Sequence, residues 1–213
     1  KTAVVQQYTF QQLQTALAQD ARASVRIARP GAGKIERIAS FLAGIFSISC
    51  LSEDEVWLLT HFACLPSDFH PYPLLLQLIE PAASKREAAF AETLHELCRK
   101  GWLLKNTGAN SYKMHLIVAA TIKQQQQPAA QAVTSLIDNI AGLLEIDQTK
   151  DNPIEKFPWI PFGKALLDMT EAHIDASGEG ANQLAILQNN LAVVLQDLGD
   201  YQGAKSLLEK ALH

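Results

Sequence analysis

The feature that most constrains the fold is a change of hydrophobic period at Gly101. Residues 84–100 place apolar side chains at the three- and four-residue spacing of an amphipathic helix, with basic residues in the last turn. Residues 102–105 and 112–114 then follow the pattern of short strands, on either side of a turn sequence rich in Asn and Gly. Because Gly readily adopts the left-handed conformation that ends helices, Gly101 is placed as the C-cap. The pattern predicts a helix followed directly by a two-stranded β-hairpin.

Two further helices are predicted upstream of this one. Ser52 and Glu55 have the spacing of a capping box, in which the Ser hydroxyl accepts from the Glu amide and the Glu carboxylate reaches back. That helix should end near Pro66, and a short helix over residues 74–79 should follow two prolines. The core positions expected in the first and third helices are Val56, Leu59, Phe62, Ala63, Ala91, Leu94, Leu97 and Cys98. Three helices and a hairpin together predict a winged helix-turn-helix.

The cysteines and tryptophans indicate a reduced, buried core. Cys50, Cys64 and Cys98 are widely spaced and form no CxxC pair, so we expect buried thiols and a cytoplasmic protein. The tryptophans expected to anchor the core are Trp57, Trp102 and Trp159. No stretch approaches the run of roughly 18 apolar residues that a membrane span requires.

The C-terminal part of the sequence predicts helices only. The predicted helices cover residues 129–146, 162–176, 182–198 and 201–213. A Pro-rich bend at residues 152–161 separates the first two, and Gly199-Asp200 separates the last two. The sequence therefore predicts a helical arm that leads into a helical hairpin.

The last two helices resemble a tetratricopeptide repeat, a helix-turn-helix unit of about 34 residues. The residues that carry the resemblance are Leu191, Ala192, Gly199, Asp200, Tyr201, Ala204, Ala211 and Leu212. Gln188 stands where the repeat usually has a large aromatic residue, and Leu195 and Leu208 replace two other aromatics. A simple helical hairpin is the alternative interpretation. Because one repeat cannot bury its own faces, further repeats are expected to follow it.

These boundaries divide the chain into four segments. They are a helical lead-in (1–48), a winged-helix domain (49–127), a helical arm (128–178) and a tetratricopeptide unit (179–213). A run of glutamines closed by Pro128 ends the second segment. The chain begins with Lys1 instead of Met and ends within a repeat, so we expect a fragment of a larger protein.

Charge disfavours nucleic acid as a partner. The 213 residues carry a formal net charge of -4, so no global positive field attracts DNA or RNA. In a DNA-binding winged helix the third helix enters the major groove. Here that helix carries Glu87, Glu92 and Glu96 between basic residues at its ends, and carboxylates oppose phosphate contacts. A DNA-binding transcriptional regulator is the less favoured alternative.

No motif predicts catalysis by this chain. The segment Gly31-Ala32-Gly33-Lys34 lacks both the first glycine and the following hydroxyl residue of a phosphate loop. The histidines at positions 61, 70, 95 and 173 have no Ser or Cys in a recognisable nucleophile motif. We therefore expect no catalytic residue and no metal site, and the chain is not predicted to be an enzyme by itself.

The middle of the chain resembles the winged-helix region of the STAND signalling NTPases, the NB-ARC group with tetratricopeptide tails. The residues that carry the resemblance are Leu51 to Glu55, Trp57 to Leu59, Cys64 to Ser67, Leu94 to Leu104 and Tyr112 to His115. Their order, their spacing and the repeat that follows agree over roughly residues 9–213. The resemblance implies that residues 1–48 end the helical domain next to an upstream NTPase core.

The resemblance also implies a nucleotide sensor. In that family a Met-His-Asp motif closes the winged helix, and its His contacts the β-phosphate of ADP. Met114 and His115 match the first two positions, whereas Leu116 replaces the Asp that many members have. ADP or ATP with magnesium would bind in the upstream core, and the chain itself is expected to hold no cofactor. The alternative is that His115 only caps the helix after the hairpin.

The implied function is signal transduction that couples nucleotide state to ligand recognition. A protein or peptide ligand would bind the repeats, and Gln188, Asn189 and Gln196 are the polar contacts expected on their inner face. No membrane partner is expected, and the resemblance leaves room for an oligomer on activation. A scaffold in which His115 senses nothing is the third hypothesis.

Overall fold

Helices make up most of the described chain. The computed structural model describes residues 48–79, 86–126, 130–147, 149–170 and 180–211, all within the unit Phe46–His213. The helices are α1 (Glu53–Ala63), α2 (Tyr72–Leu78), α3 (Arg86–Arg99), α4 (Leu116–Gln126), α5 (Thr134–Leu144), α6 (Ile160–Thr170), α7 (Ala181–Leu198) and α8 (Tyr201–Ala211). The strands are β1 (His70–Pro71), β2 (Leu103–Asn106) and β3 (Ser111–Met114), and short 3-10 helices cover Ile48–Cys50, Ala130–Val133 and Pro153–Trp159. The mainly α prediction is confirmed. Apart from Ile48, the predicted lead-in lies outside the described residues, as do the glycine-rich segment at 31–34 and the boundary at 127–128.

Helix α1 begins with the predicted capping box. The Ser52 hydroxyl accepts from the Glu55 amide at 3.2 Å, and the Ser52 amide donates to the Glu55 carboxylate at 2.8 Å. The second oxygen of that carboxylate accepts from Lys100 Nζ at 2.6 Å. Burial opposes ionisation of Glu55, but the bonds from Lys100 and Ser52 outweigh it, so the pKa of Glu55 lies below its usual value. One carboxylate therefore caps α1 and ties its start to the end of α3.

Helix α1 is buried on more than one side because both α3 and α4 pack against it. Leu58, Leu59 and Phe62 are almost fully buried, at 0%, 1% and 2% exposure. Val56, predicted as a core position, is only half-buried, and Leu58 takes its place. In α3 the same shift makes Phe90 the buried residue and leaves Ala91 exposed. Periodicity identified both helices correctly but misplaced the edge of each apolar face.

The predicted hairpin is present, and a third strand joins it. Strands β2 and β3 pair antiparallel with Leu103 opposite Met114. Strand β1 pairs antiparallel with the other edge of β3, where His70 lies opposite Tyr112, so the strand order is β1-β3-β2. The sequence had indicated only a turn around His70. Two residues that pair with a strand about forty positions away carry no local signal of their own.

Glycines end two helices as predicted. Gly101 has φ +82° after α3, and the Trp102 amide donates to the Leu97 carbonyl at 2.9 Å. Gly199 has φ +89° after α7, and the Asp200 amide donates to the Leu195 carbonyl at 2.8 Å. Both arrangements satisfy carbonyls at the helix end while the glycine takes the left-handed conformation.

The C-terminal helices pack on one another around α7. Helices α5, α6 and α8 all contact α7, and α5 also contacts α2. Ala192 of α7 and Ala204 of α8 are both 0% exposed, as a close helix crossing requires. The Asn139 side chain donates to the Leu78 carbonyl at 3.0 Å, which fastens α5 to the end of α2. The Pro-rich bend forms a 3-10 helix and α6 begins at Ile160, while the predicted continuation beyond Thr170 is outside the described residues.

Several side chains are less buried than the sequence suggested. Trp102 is 5% exposed as expected, but Trp57 is 37% exposed. Cys64 is buried and its burial raises the pKa of the thiol to about 12. Cys98 is half-buried and Cys50 is exposed, so the expectation of three buried thiols holds only for Cys64. None of the helices in the described ranges combines the length and apolar character that crossing a membrane requires.

Candidate functional site

The residues matching the Met-His motif lie where β3 ends and α4 begins. Met114 is the last residue of β3, is 3% exposed, and accepts from the Ser67 hydroxyl at 2.8 Å through its carbonyl. The His115 carbonyl accepts from the Ala119 amide at 3.0 Å, which is the first helical bond of α4. Met114 is therefore anchored in the core, while His115 is exposed at the N-terminus of α4.

The electrostatic surroundings of His115 favour an anion. Desolvation and then the positive charge of Lys113 lower the pKa of His115, which favours the neutral imidazole. A neutral imidazole carries one N–H donor. The first turn of α4 contains no acidic residue, and a helix N-terminus attracts negative charge through its backbone amides. One imidazole, one ammonium and one helix N-terminus thus lie together at this junction.

Lys113 is a residue that motif reasoning missed. Its Nζ lies 5.6 Å from the centre of the Phe69 ring, on the loop that leads into β1. This cation–π contact directs the Lys113 ammonium toward the Phe69 ring. Lys113 lies on β3, the same strand as Met114. The signal was present in the sequence, since Lys113 precedes the matched pair, but only pairing of β1 with β3 brings Phe69 to it. Leu116, in the place of the motif Asp, is 67% exposed.

The three predicted partner-binding residues lie on α7 and differ in exposure. Asn189 and Gln196 are exposed, whereas Gln188 is 4% exposed and faces the packed interior. As placed, Asn189 and Gln196 are open to a partner and Gln188 supports packing within the chain. These residues and His115 belong to separate elements, α7 and the start of α4.

Two histidines are held by the fold itself. His61 Nδ1 lies 2.8 Å from the Trp57 carbonyl, and His70 Nε2 lies 2.8 Å from the Pro66 carbonyl. Both rings are buried, and burial is the first cause that lowers the pKa of each. A neutral imidazole with its N–H given to a carbonyl fits a structural role. Within the described residues no group of three His, Cys, Asp or Glu side chains could hold a metal ion.

The cations at the end of α3 are paired with carboxylates. Arg99 forms an ion pair with Glu96 at 2.5 Å, and Lys100 forms one with Glu55 at 2.6 Å. A helix that reads DNA needs its cations for phosphates. The pairing gives no support to the DNA-binding alternative.

Comparison of the chain with protein-family models, curated proteins and solved structures found no significant match.

Proposed function

We propose that this chain is the regulatory and protein-interaction part of a STAND-type signalling NTPase, with a winged-helix domain and the start of a tetratricopeptide array. The order α1, β1, α2, α3, β2, β3 with sheet order β1-β3-β2 supports the proposal. It supplies a helical core with the hairpin as its wing. The third strand is an element that the resemblance needs and that the hairpin pattern alone did not predict.

The observation that carries the proposal is the position of His115. It follows the wing directly and begins α4, beside Lys113 and without an acidic residue in the first turn. A terminal phosphate of ADP, presented by an NTPase core, would accept from the imidazole and lie near the ammonium. Binding of that anion would raise the pKa of His115 again and favour its protonated form.

Helix α4 offers a route from this site to the repeat hairpin. It begins at His115, packs on α1, and near its end Lys123 donates to the Asp168 carbonyl in α6. Helix α6 in turn packs on α7, the first helix of the hairpin. A ligand that prefers one arrangement of these helices would shift the population between ADP-bound and open forms. By linkage, ADP would weaken binding of that ligand to the same extent.

The test uses the longer protein that contains this chain and its NTPase core. ADP retained after purification is released by denaturation and quantified for the wild type and for His115→Ala. We expect His115→Ala to lower retained ADP severalfold and to raise signalling or assembly. Leu116→Asp, which restores the motif, should change retention in the opposite direction, and His95→Ala removes another exposed imidazole as the matched control.

Two results would refute the proposal. One is a coding sequence that encodes no NTPase core upstream of Lys1, because the proposal requires such a core in the same protein. Unchanged ADP retention in both His115→Ala and Leu116→Asp would make the junction structural, and the scaffold interpretation would replace the sensor.

A further inference from the structure

A groove that the nucleotide-sensing role does not use opens between α1 and α3. Its volume is about 500 Å³, within the range of roughly 300–1,000 Å³ that ligand sites occupy. Glu53, Asp54 and Trp57 line it from α1, and Ala89 and Phe90 are among the residues that line it from α3. We call it the α1–α3 groove.

The floor of the α1–α3 groove is apolar and rigid. Leu58 is 0% exposed and Phe90 is 4% exposed, so both present part of a packed core. The Phe90 ring packs against the Tyr72 ring of α2, with ring centres 6.1 Å apart. A floor that is already ordered costs a ligand little reorganisation, which favours binding of an apolar side chain.

One wall is an aromatic ring that the fold holds in place without burying it. Trp57 is 37% exposed, although the six residues of α1 that follow it are buried. Its ring lies 4.4 Å from the buried His61 ring, centre to centre, and His61 is itself bonded to the Trp57 carbonyl. Tryptophan in this setting is typical of the anchoring residues of interaction surfaces.

The mouth of the groove is acidic. Glu53 and Asp54 lie four and three positions before Trp57, so all three side chains share one face of α1. Both carboxylates are exposed, and neither forms an ion pair with any residue whose side chain the structure describes, in contrast to Glu55. Carboxylates beside an indole face suit an ammonium or guanidinium group, because the ring attracts cations and the carboxylates pair with them.

We propose that the α1–α3 groove binds a peptide segment of a partner protein in which an arginine or lysine is flanked by aliphatic side chains. The cation lies on the Trp57 ring beside Glu53 and Asp54, and an aliphatic neighbour contacts Ala89 and the accessible edge of Phe90. Nucleic acid and acidic peptides are excluded by the two carboxylates. This binding does not depend on nucleotide sensing at His115.

The experiment titrates the whole 213-residue chain with two capped pentapeptides, one with a Leu-Arg-Leu core and one with Leu-Glu-Leu. The readout is the indole N–H signal of Trp57 in a proton–nitrogen correlation spectrum, assigned by its loss in Trp57→Phe. The arginine peptide should shift this signal saturably, and the glutamate peptide should not.

Matched variants separate local charge from net charge. Glu53→Gln with Asp54→Asn should weaken the arginine peptide about five- to tenfold, as expected for the loss of two exposed charge pairs. Asp138→Asn with Glu145→Gln removes two exposed carboxylates at α5 and should leave the affinity unchanged. Trp57→Ala has no indole signal at this position, so its binding is followed by the backbone amide signals of Ala89 and Thr93, which also line the groove. The variant should abolish their shift by the arginine peptide while α-helical circular dichroism is retained.

Four outcomes would overturn the proposal. Equal binding of both peptides, or equal loss in both double variants, would remove the role of the two carboxylates. An indole signal that neither peptide moves would show that the groove does not bind such a segment. A signal that moves with protein concentration alone would assign the groove to a second copy of the chain.

Discussion

The segment from α1 to α4 and the turn between α7 and α8 differ in how far along the chain their hydrogen bonds reach. In the first, Lys100 bonds Glu55 and the Ser67 hydroxyl bonds the Met114 carbonyl, across 45 and 47 positions. In the second, the turn is held by bonds of three to five positions, such as those of Asp200 with Gly203 and Leu195. The turn is therefore set by local sequence, whereas the α1–α4 segment depends on polar contacts that only the folded chain can make. Helix α7 itself is also fastened at long range, because the Asn190 side chain donates to the Ala141 carbonyl at 3.0 Å.

The largest effect should come from the apolar core of the hairpin. Leu191→Ala removes a 0% exposed side chain from α7 and should lower the free energy of unfolding by about 2–5 kcal/mol, through lost burial and the cavity left behind. Urea unfolding followed by circular dichroism measures the loss. Ile186→Ala on the same helix is the control, because Ile186 is 54% exposed and should cost about 0.5 kcal/mol or less. Equal costs would contradict the packing of α7.

The next effect should fall on the α1–α4 segment. Lys100→Met leaves the buried Glu55 carboxylate without its cation and should cost about 1–3 kcal/mol. Adding Glu55→Gln should recover part of the loss, since no buried charge then remains unpaired. Arg99→Met breaks a fully solvated pair with Glu96 and should change the free energy of unfolding much less. The distinction between the two regions fails if Lys100→Met is as mild as Arg99→Met.

Acid should act on the same segment. The pKa values of His61 and His70 lie below 6.5, first because of burial, so the unfolded chain takes up protons at higher pH than the folded one. Stability is therefore complete above about pH 6.5 and is lost as the pH falls through the lowered values, by at most about 1.4 kcal/mol per pH unit and histidine. Glu55, whose pKa is lowered from 4.5, adds its loss only at lower pH.

Urea unfolding at pH 7.5, 6.5 and 5.5 measures this dependence. The double variant His61→Gln with His70→Gln should flatten most of it, and His115 accounts for a small remainder in the same direction. Amide exchange at pH 5.5 should rise in α1 and β1 before it rises in α7. A stability that is constant down to pH 5.5 would show that neither ring is held neutral.

The smallest effect is expected at the loop before β1. Ser67→Ala removes the hydroxyl that donates to the Met114 carbonyl and should cost about 0.5–1.5 kcal/mol. Under the proposed function it should also lower ADP retention by a protein that carries the NTPase core, because Met114 holds the position of His115. Asp200→Ala, which removes the α8 cap to the Gly203 amide, is the comparison of similar cost. Only the first variant should affect ADP.

The helix starts and ends were largely readable from the sequence. Three kinds of feature were predicted to within a few residues. They are the capping box at Ser52, the glycine helix ends at Gly101 and Gly199, and the β-hairpin of β2 and β3. The caps depend on groups within five positions of one another, and the strands of the β-hairpin pair residues at most eleven positions apart. Strand β1 was missed because His70 and Pro71 form a strand only by pairing with β3.

The candidate site divides in the same way. Met114 and His115 were selected by motif, and their place between β3 and α4 followed from the predicted hairpin and helix. The lowered pKa of His115 and the position of Lys113 against Phe69 needed the third strand. Gln188 was expected to be exposed on the inner face of the repeat. Helices α5, α6 and α8 pack against α7, however, and Gln188 is buried.

The sequence by itself therefore determined which segments become helices and strands, because caps, turns and hydrophobic period act over a few residues. Only the tertiary structure decided how many neighbours each helix has. Helices α3 and α4 both pack against α1. This packing buries Leu58 and His61 and leaves Trp57 partly exposed beside the α1–α3 groove. Burial of a side chain depends on which elements pack around it, and a local pattern does not specify them.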